Sequence, residues 1–404
     1  MNRAKLVLKF PISLLLWLAI FNAYASDWEY SGNIKLLSNA TLFKENDIAT
    51  LNDKKLQYST SIATRLMTNY QKRAFSFELH YDLISQYSTY NSDISNTFDD
   101  QYIDLDKSIY ENNNFLLKNR IDRLILSYVD KSWVFHMGRQ AISWGNGFLF
   151  NPFDFFNPFS QTAIDKDYKS GSDMLYVQWL APNGDDIQWV FVPRKSPASD
   201  KVINRDSTVA VKYKRFLPSV EVDVIAAHHY DDPLLGLGIL KSIAETIWRL
   251  DTTLLFLDDE KTEFTLMSNV DYSWTWIDYN MYGYLEFFYN SMGISSYDDF
   301  DGSQIADRIQ RAELFTVGRS YLATGLTIET SPLTNMSSNI IVNIGDGSVL
   351  IPLSYNYSWK QNTNITIGAT LGFGKRDTEY GGYQVNGLYL GNGQSTYILI
   401  SNYF

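Results

Sequence analysis

Apolar and polar residues take turns along most of this chain. In "AFSFELHYDLISQY", Phe75, Phe77, Leu79, Tyr81 and Leu83 fall on one face, while Ser76, Glu78, His80 and Asp82 fall on the other. A period of two sustained over this length predicts a β-strand with one apolar and one wet face. "TNITIGATLGFG" keeps the rhythm through Ile365, Ile367, Ala369, Leu371 and Phe373. "SVLIPLSYNYSW" keeps it through Val349, Ile351, Leu353, Tyr355, Tyr357 and Trp359. Pro352 has no N–H to give a ladder, so a bulge or gap is expected there. About eighteen such segments can be marked, among them 121–130, 133–144 and 234–241. The last, "LLGLGILK", reads equally well as loop. It is kept because an even count returns both ends of the chain to the same rim. Sixteen strands is the alternative if one further segment fails.

The connections sort by length. Short ones fall at 70–74, 130–132, 182–185, 216–219, 276–278, 331–335 and 360–364. Between them lie longer ones, near 41–55, 89–120, 145–172, 196–205, 257–262, 291–316 and 376–392. A soluble sandwich has no reason to alternate loop lengths, whereas an outer-membrane barrel has short turns at one rim and long loops at the other. The expected fold is therefore all-β: a transmembrane antiparallel barrel of about 18 strands.

The ends of the chain agree with this reading. Arg3, Lys5 and Lys9 precede the apolar stretch Phe10–Phe21, and Ala23–Ala25 fits small-x-small cleavage. That pattern predicts a signal peptide over 1–25, too short to span a bilayer, followed by a single domain over 26–404. The final "STYILISNYF" ends on Phe404, as do strands presented to the barrel-assembly machinery, although Asn402 departs from the usual apolar residue. There is no Cys, which excludes disulfides and thiolate metal sites. The formal charge of −11, with no basic cluster, argues against a nucleic-acid partner.

One stretch breaks the rhythm. "GRQAISWGNGFLFNPFDFFNPF" (Gly138–Phe159) crowds six Phe and two Asn-Pro steps where a loop is expected. Trp133, Phe135 and Met137 point to lipid, and strict alternation would send Arg139 there too. A bulge at Gly138 is expected to turn it inward. The loop over 145–171 is too apolar for solvent and too irregular for lipid. It is expected to fold into the lumen, which an 18-strand barrel leaves wide enough. Trp144, Asn151 and Asn157 would set its course, with Asp154 and Arg139 as polar anchors. A loop packed on the rim without bearing on flow is the competing reading.

The wet face gives the expected pore lining: Arg65, Glu78, Asp82, Arg123, Arg249, Asp251, Glu286, Arg319 and Glu329. Acids exceed bases in this lining, which predicts a weakly cation-preferring path. Cross-lumen ion pairs that brace the wall would use the same residues. No Gly-x-Ser-x-Gly elbow occurs, and the four His do not pair with a nucleophile, so no enzyme and no cofactor are expected. "HHYDD" (228–232) reads as a solvated rim cluster rather than a metal site. "DDFDGSQIADRIQRAEL" (298–314) begins like a calcium loop but lacks the bidentate Glu. Its second half reads as a short amphipathic helix over the mouth.

Three stretches together resemble a family of porin-like outer-membrane β-barrels of Gram-negative bacteria: the pattern GRQxIxWGxGxxxNPxDxxNPF at Gly138–Phe159, GRxYLAxGLxxExxPL at Gly318–Leu333, and VNxxDGS at Val342–Ser348 with Gly345 at a variable place. The resemblance implies an integral outer-membrane barrel and supplies no substrate. Its expected partners are outer-membrane lipid and lipopolysaccharide, the assembly machinery through Phe404, and small hydrophilic solutes; oligomeric state is left open. The leading expectation is a passive channel narrowed by the 145–171 loop. The alternative is a non-conducting scaffold, surface receptor or adhesion protein with a plugged lumen, whose long acidic, Tyr-rich loops would engage a partner.

Overall fold

The computed structural model describes residues 27–404 apart from 51–53, 90–99, 197–198, 200, 258–260, 295–303, 386–387 and 392. The expected leader (1–25) and the calcium-like start of the 298–314 stretch lie outside the described residues. Eighteen antiparallel strands form one closed sheet. The first nine are β1 (Trp28–Leu42), β2 (Leu56–Lys72), β3 (Phe75–Ser88), β4 (Phe115–Val129), β5 (Trp133–Gln140), β6 (Ser172–Leu180), β7 (Asp186–Val192), β8 (Thr208–Leu217) and β9 (Val220–His229). The rest are β10 (Asp232–Ile243), β11 (Thr246–Phe256), β12 (Thr262–Trp276), β13 (Tyr279–Asn290), β14 (Ser320–Ser331), β15 (Thr334–Asn343), β16 (Val349–Lys360), β17 (Thr363–Phe373) and β18 (Gln394–Tyr403).

Each strand pairs with its sequence neighbour, and β1 pairs with both β2 and β18, which shuts the ring. At the seam the Gly32 and Phe404 backbones exchange two hydrogen bonds of 2.8 and 2.9 Å. Gly32 has no side chain because the Phe404 ring occupies its place: a Cβ there would lie 2.5 Å from the ring and 2.6 Å from the Arg65 carbonyl. Both ends of the barrel domain therefore meet at one rim, here called the lower rim. All the turns at this rim are short. The long connections gather at the upper rim, together with short ones at 230–231, 257–261 and 344–348.

Period-two alternation sends large apolar side chains outward around the ring, including Leu126, Met137, Leu175, Val209, Leu237, Leu285, Leu322 and Ile367. Near the lower rim this face carries aromatic residues. Trp133 stacks on Trp179 and Trp189 at 6.1 and 6.3 Å, and Trp276 and Trp359 are exposed farther round. An apolar band edged by aromatics is what a strand wall needs in a bilayer.

The structure corrects three details of the sequence reading. Strand β4 begins at Phe115, not 121, and the preceding loop contributes a short extra strand, Asp106–Glu111, paired to its first half. Strand β5 ends at Gln140 rather than 144, and the extra strand covers the edge of β4 that β5 leaves bare. Finally, pairing stays one-to-one through Gly138 and Arg139, so the expected bulge is not at Gly138. It sits on the neighbouring strand, where His80 pairs with Arg123 and Tyr81 with Ile121, leaving Asp122 as the extra residue. Gly138 instead takes φ 120°, and a Cβ would meet the Leu124 carbonyl at 2.0 Å. Two further expectations about the strands hold: β10 exists and is longer than expected, and the β15–β16 pairing skips Asn339 and Ile340 opposite Pro352.

Gly32→Val should break the seam, because the Arg65 carbonyl cannot yield to a new Cβ. Overpacking of this kind costs about 1–3 kcal/mol. The temperature at which the folded barrel loses its fast, unheated gel mobility should fall by several degrees; an unchanged transition would show that the seam tolerates a side chain.

Candidate functional site: a strap across the lumen

After Gln140 the chain leaves the wall and crosses the lumen until Ser172, and this segment is termed the strap. Its aromatic residues explain where it goes. Phe153 is fully buried, and Phe155, Phe156 and Trp144 pack with it against the inner face of β6 to β11, through Met174, Val190, Ala210, Ile225 and Leu234. Leu149 and Phe150 pack against β12 to β16, with the Phe150 ring stacked 4.6 Å from Phe288 and 5.2 Å from Tyr321. Burying one such ring contributes about 1.5–3 kcal/mol.

The two glycines of "LLGLGILK" make the seat. A Cβ at Gly236 or at Gly238 would lie 2.8 Å from the Phe153 ring. The segment that reads worst as a strand does so because a strap ring takes the space its side chains would fill.

Polar groups fix the register of strap on wall. The Glu286 carboxylate accepts backbone N–H bonds from Phe148, Leu149 and Phe150 at 2.7, 2.9 and 2.9 Å. Three successive amides turned toward one anion form a nest. Two strands over, Asp251 accepts the Asn146 N–H at 2.7 Å and its side-chain amide at 2.8 Å. Between them, Asn269 donates to the Asn146 carbonyl and to Glu286, both at 3.0 Å. Both acids were read from the sequence as pore lining. They do face inward, but the strap covers them.

Within the strap, Asn151 donates to the Trp144 carbonyl at 2.8 Å, and the Trp144 indole donates to Gln188 on β7 at 2.8 Å. Asn157, at φ 55°, donates to Ser172 at 2.7 Å. Asp154 pairs with Lys169, which also donates to the Ile142 carbonyl at 2.6 Å. Burial pushes the Asp154 carboxyl up to about 6 even though Lys169 pulls the other way, and burial likewise lowers the Lys169 ammonium. A pair that pays this much desolvation fixes position more than it adds stability.

Arg139, the other expected anchor, is 3% exposed and does not reach the strap's interior. It bonds Asp173 on β6 at 2.9 Å and the Ile103 carbonyl at 2.5 Å, pinning the segment around Ile103 to the wall.

The far end of the strap ties to the opposite wall. Lys35 on β1 bonds Asp165 at 2.7 Å and Asp167 at 2.6 Å, and Tyr403 on β18 donates to Asp167 at 2.6 Å. Burial opposes the charge on Asp167, but these donors hold its carboxyl below the usual carboxylate range. Tyr168 lies 4.2 Å from the Arg65 guanidinium, and Arg65 grips Asp82 with two bonds of 2.6 Å. Arg120, Asp122 and Arg123 complete this basic cluster; Arg120 meets Asp122 at 2.8 Å and Glu78 meets His80 at 3.1 Å.

Of the remaining expected lining residues, Arg249 pairs with Asp271 at 3.1 Å and lies 5.0 Å from the Phe148 ring. Glu329 sits exposed near the lower rim, accepting a bond from Asn280 at 2.8 Å. Arg319 is exposed at the upper rim and donates to the Gly293 carbonyl at 2.5 Å. The helix α1 (Gln304–Gln310) forms as expected. Through Arg308 and Glu313, its segment covers His229, which is buried rather than solvated at a rim. Lys35, Asn269 and Lys169 were missed. Lys35 shared the wet-face rhythm with Asn33; the other two carried no signal of their roles.

The strap does not fill the barrel. A cavity of about 500 Å³ lies between residues 161–167 and the inner face of β15 to β18. A second of about 510 Å³ lies under Trp144, bounded by Glu78, Arg123, His136, Gln178 and Lys212.

Two experiments test the clamp. Glu286→Ala removes the charged acceptor of three amides, each such bond contributing about 1.5–3 kcal/mol. Hydrogen exchange at Phe148–Phe150 should accelerate by about tenfold or more; unchanged exchange would show that the rings alone hold the strap. Gly238→Val should displace Phe153, and Phe153→Ala in the same chain should recover part of the lost stability in a double-mutant cycle. Simple additivity would refute the seat.

No family profile and no curated protein sequence matches the chain. Solved structures do. OccAB1 of Acinetobacter baumannii aligns with a TM-score of 0.57 at 7% identity, covering 95% of this chain and 98% of that one. OccAB2 of the same organism aligns at 0.56 and 8% identity, covering 95% and 99%. OccK8 (OprE) of Pseudomonas aeruginosa aligns at 0.55 and 8%, covering 94% and 99%. At this identity the likeness shows the fold: an 18-stranded closed barrel over nearly the whole described chain.

Proposed function

We propose that this protein is an integral outer-membrane, porin-like channel for passive diffusion of small hydrophilic solutes, narrowed by the 145–171 loop. The observation that carries the reading is the open polar space left beside a strap fastened at both ends. Asp251 and Glu286 hold one end, and Lys35 and Tyr403 hold the other. A plug would have no need to leave cavities of about 500 Å³ on two sides. The apolar, aromatic-edged outer face supports placement in a bilayer. The fold shared with the Occ proteins supports the same reading, as does the motif resemblance to porin-like Gram-negative barrels.

Purified protein in planar bilayers should give stepwise openings, whereas persistent silence would favour a non-conducting scaffold or receptor. Removing residues 151–159 takes out Phe153, Phe155 and Phe156 and should raise single-channel current at least twofold. An equal current would place the constriction elsewhere. Lys35→Ala frees Asp165 and Asp167 from their shared cation and should make the open current noisier without closing the channel; a quiet current of wild-type size would show that the far tether has no bearing on flow.

A further inference from the structure

One quarter of the wall differs from the rest. The four consecutive strands β15 to β18 contain a single charged residue, Lys360, at the lower end of β16. The lumen faces of β1 to β4 and β8 to β13, by contrast, carry Lys35, Arg65, Asp82, Arg123, Asp223 and Glu286, among others. The uncharged quarter presents hydroxyls and amides. Asn356 donates to Asn335 at 2.9 Å and Thr366 donates to Asn356 at 2.6 Å, so one polar ladder crosses three strands. Side-chain amides carry two donors and an acceptor oxygen with two lone pairs, and this ladder uses only part of that capacity. Ser337, Tyr397 and Tyr403 face the same cavity.

The strap side of this cavity balances too. Asp165 and Asp167 are both bonded to Lys35, and Lys166 adds a second cation, giving two formal negative and two formal positive charges. The cavity of about 500 Å³ lies within the range of about 300–1,000 Å³ that holds a small-molecule ligand.

From these features we propose that the cavity between the strap and β15 to β18 is the passage and binding subsite for neutral, polyhydroxylated solutes of monosaccharide size. This deepens the channel reading above and rests on it. A charged solute entering here gives up hydration in a lining of no net charge, so its desolvation is poorly recovered. A polyol exchanges each water bond for an amide or hydroxyl bond, and the Tyr397 and Tyr403 rings offer apolar faces to its C–H groups. The charged cavity under Trp144 lacks this neutrality.

Liposome swelling with three solutes of nearly equal size separates the possibilities: glucose, the anion gluconate and the cation glucosamine, on the full-length barrel with bilayer conductance measured in parallel. Glucose should enter at least fivefold faster than either ion. Ser337→Trp, which intrudes on the cavity beside β15 to β18, should slow glucose at least fivefold. Gln178→Trp, which intrudes on the opposite cavity, should leave glucose within twofold, both variants being checked for folded gel mobility. Ion conductance without glucose preference would overturn this inference and leave the channel standing. So would a glucose rate that falls with Gln178→Trp and not with Ser337→Trp. Silence in both assays would overturn the channel and the subsite together.

Discussion

The strap's position in this barrel hangs on a carboxylate that serves backbone it is far from in sequence. Glu286, on β13, neutralises three amides of Phe148–Phe150, groups that would otherwise lie unpaired inside a half-dry lumen. An irregular segment can enter a barrel only if its peptide groups find partners there. Asp251 and Asn269 extend the same service to Asn146, so three neighbouring strands offer acceptors and donors at matching heights. The aromatic rings follow from this register. With residues 146–150 fixed, Phe150 reaches Phe288 and Phe153 reaches the glycine seat. Burial then contributes energy, while the hydrogen bonds decide where it is spent.

The asymmetry of the lumen follows from the same arrangement. Because the strap lies on β6 to β16, the inner faces there are apolar above and acidic where they clamp. The wall it leaves uncovered, β17, β18 and the lower parts of β15 and β16, stays polar and neutral as far as β1, where Lys35 takes hold of the far end. The segment thus does more than narrow a circular opening. It separates a compartment of net positive lining beside Arg123 and Lys212 from a charge-balanced one beside Asn335 and Thr366.

Much of the fold was legible because a two-residue period and sorted turn lengths report directly on which face meets lipid. Strand number, the gap opposite Pro352 and the inward course of the Phe-rich segment all follow from that. The start of β4 was not legible. The extra residue at Asp122 shifts the rhythm, so Lys118–Arg120 and Asp122–Arg123 read as one polar run. The expectation of a bulge at Gly138 was right that Arg139 needs shelter from lipid and wrong about the device: the segment holding Ile103 and Asp106 shelters it. For the site, alternation showed that Asp251 and Glu286 face inward. It could not show what they face, because periodicity fixes a direction and leaves the partner open. Gly236 and Gly238 looked like weakness in a strand, and only the Phe153 ring makes sense of them.

The seam between β1 and β18 has a bearing on the order of assembly. The strap's clamps sit on strands made after it, its far tether sits on β1 and β18, and the ring shuts only when Phe404 meets Gly32. A segment carrying four buried Phe side chains is hard to thread into a finished cylinder through a lumen it must itself narrow. The growing curved sheet therefore has to cradle its own interior piece while still open at one edge, and the meeting of Phe404 with Gly32 seals in a choice already made.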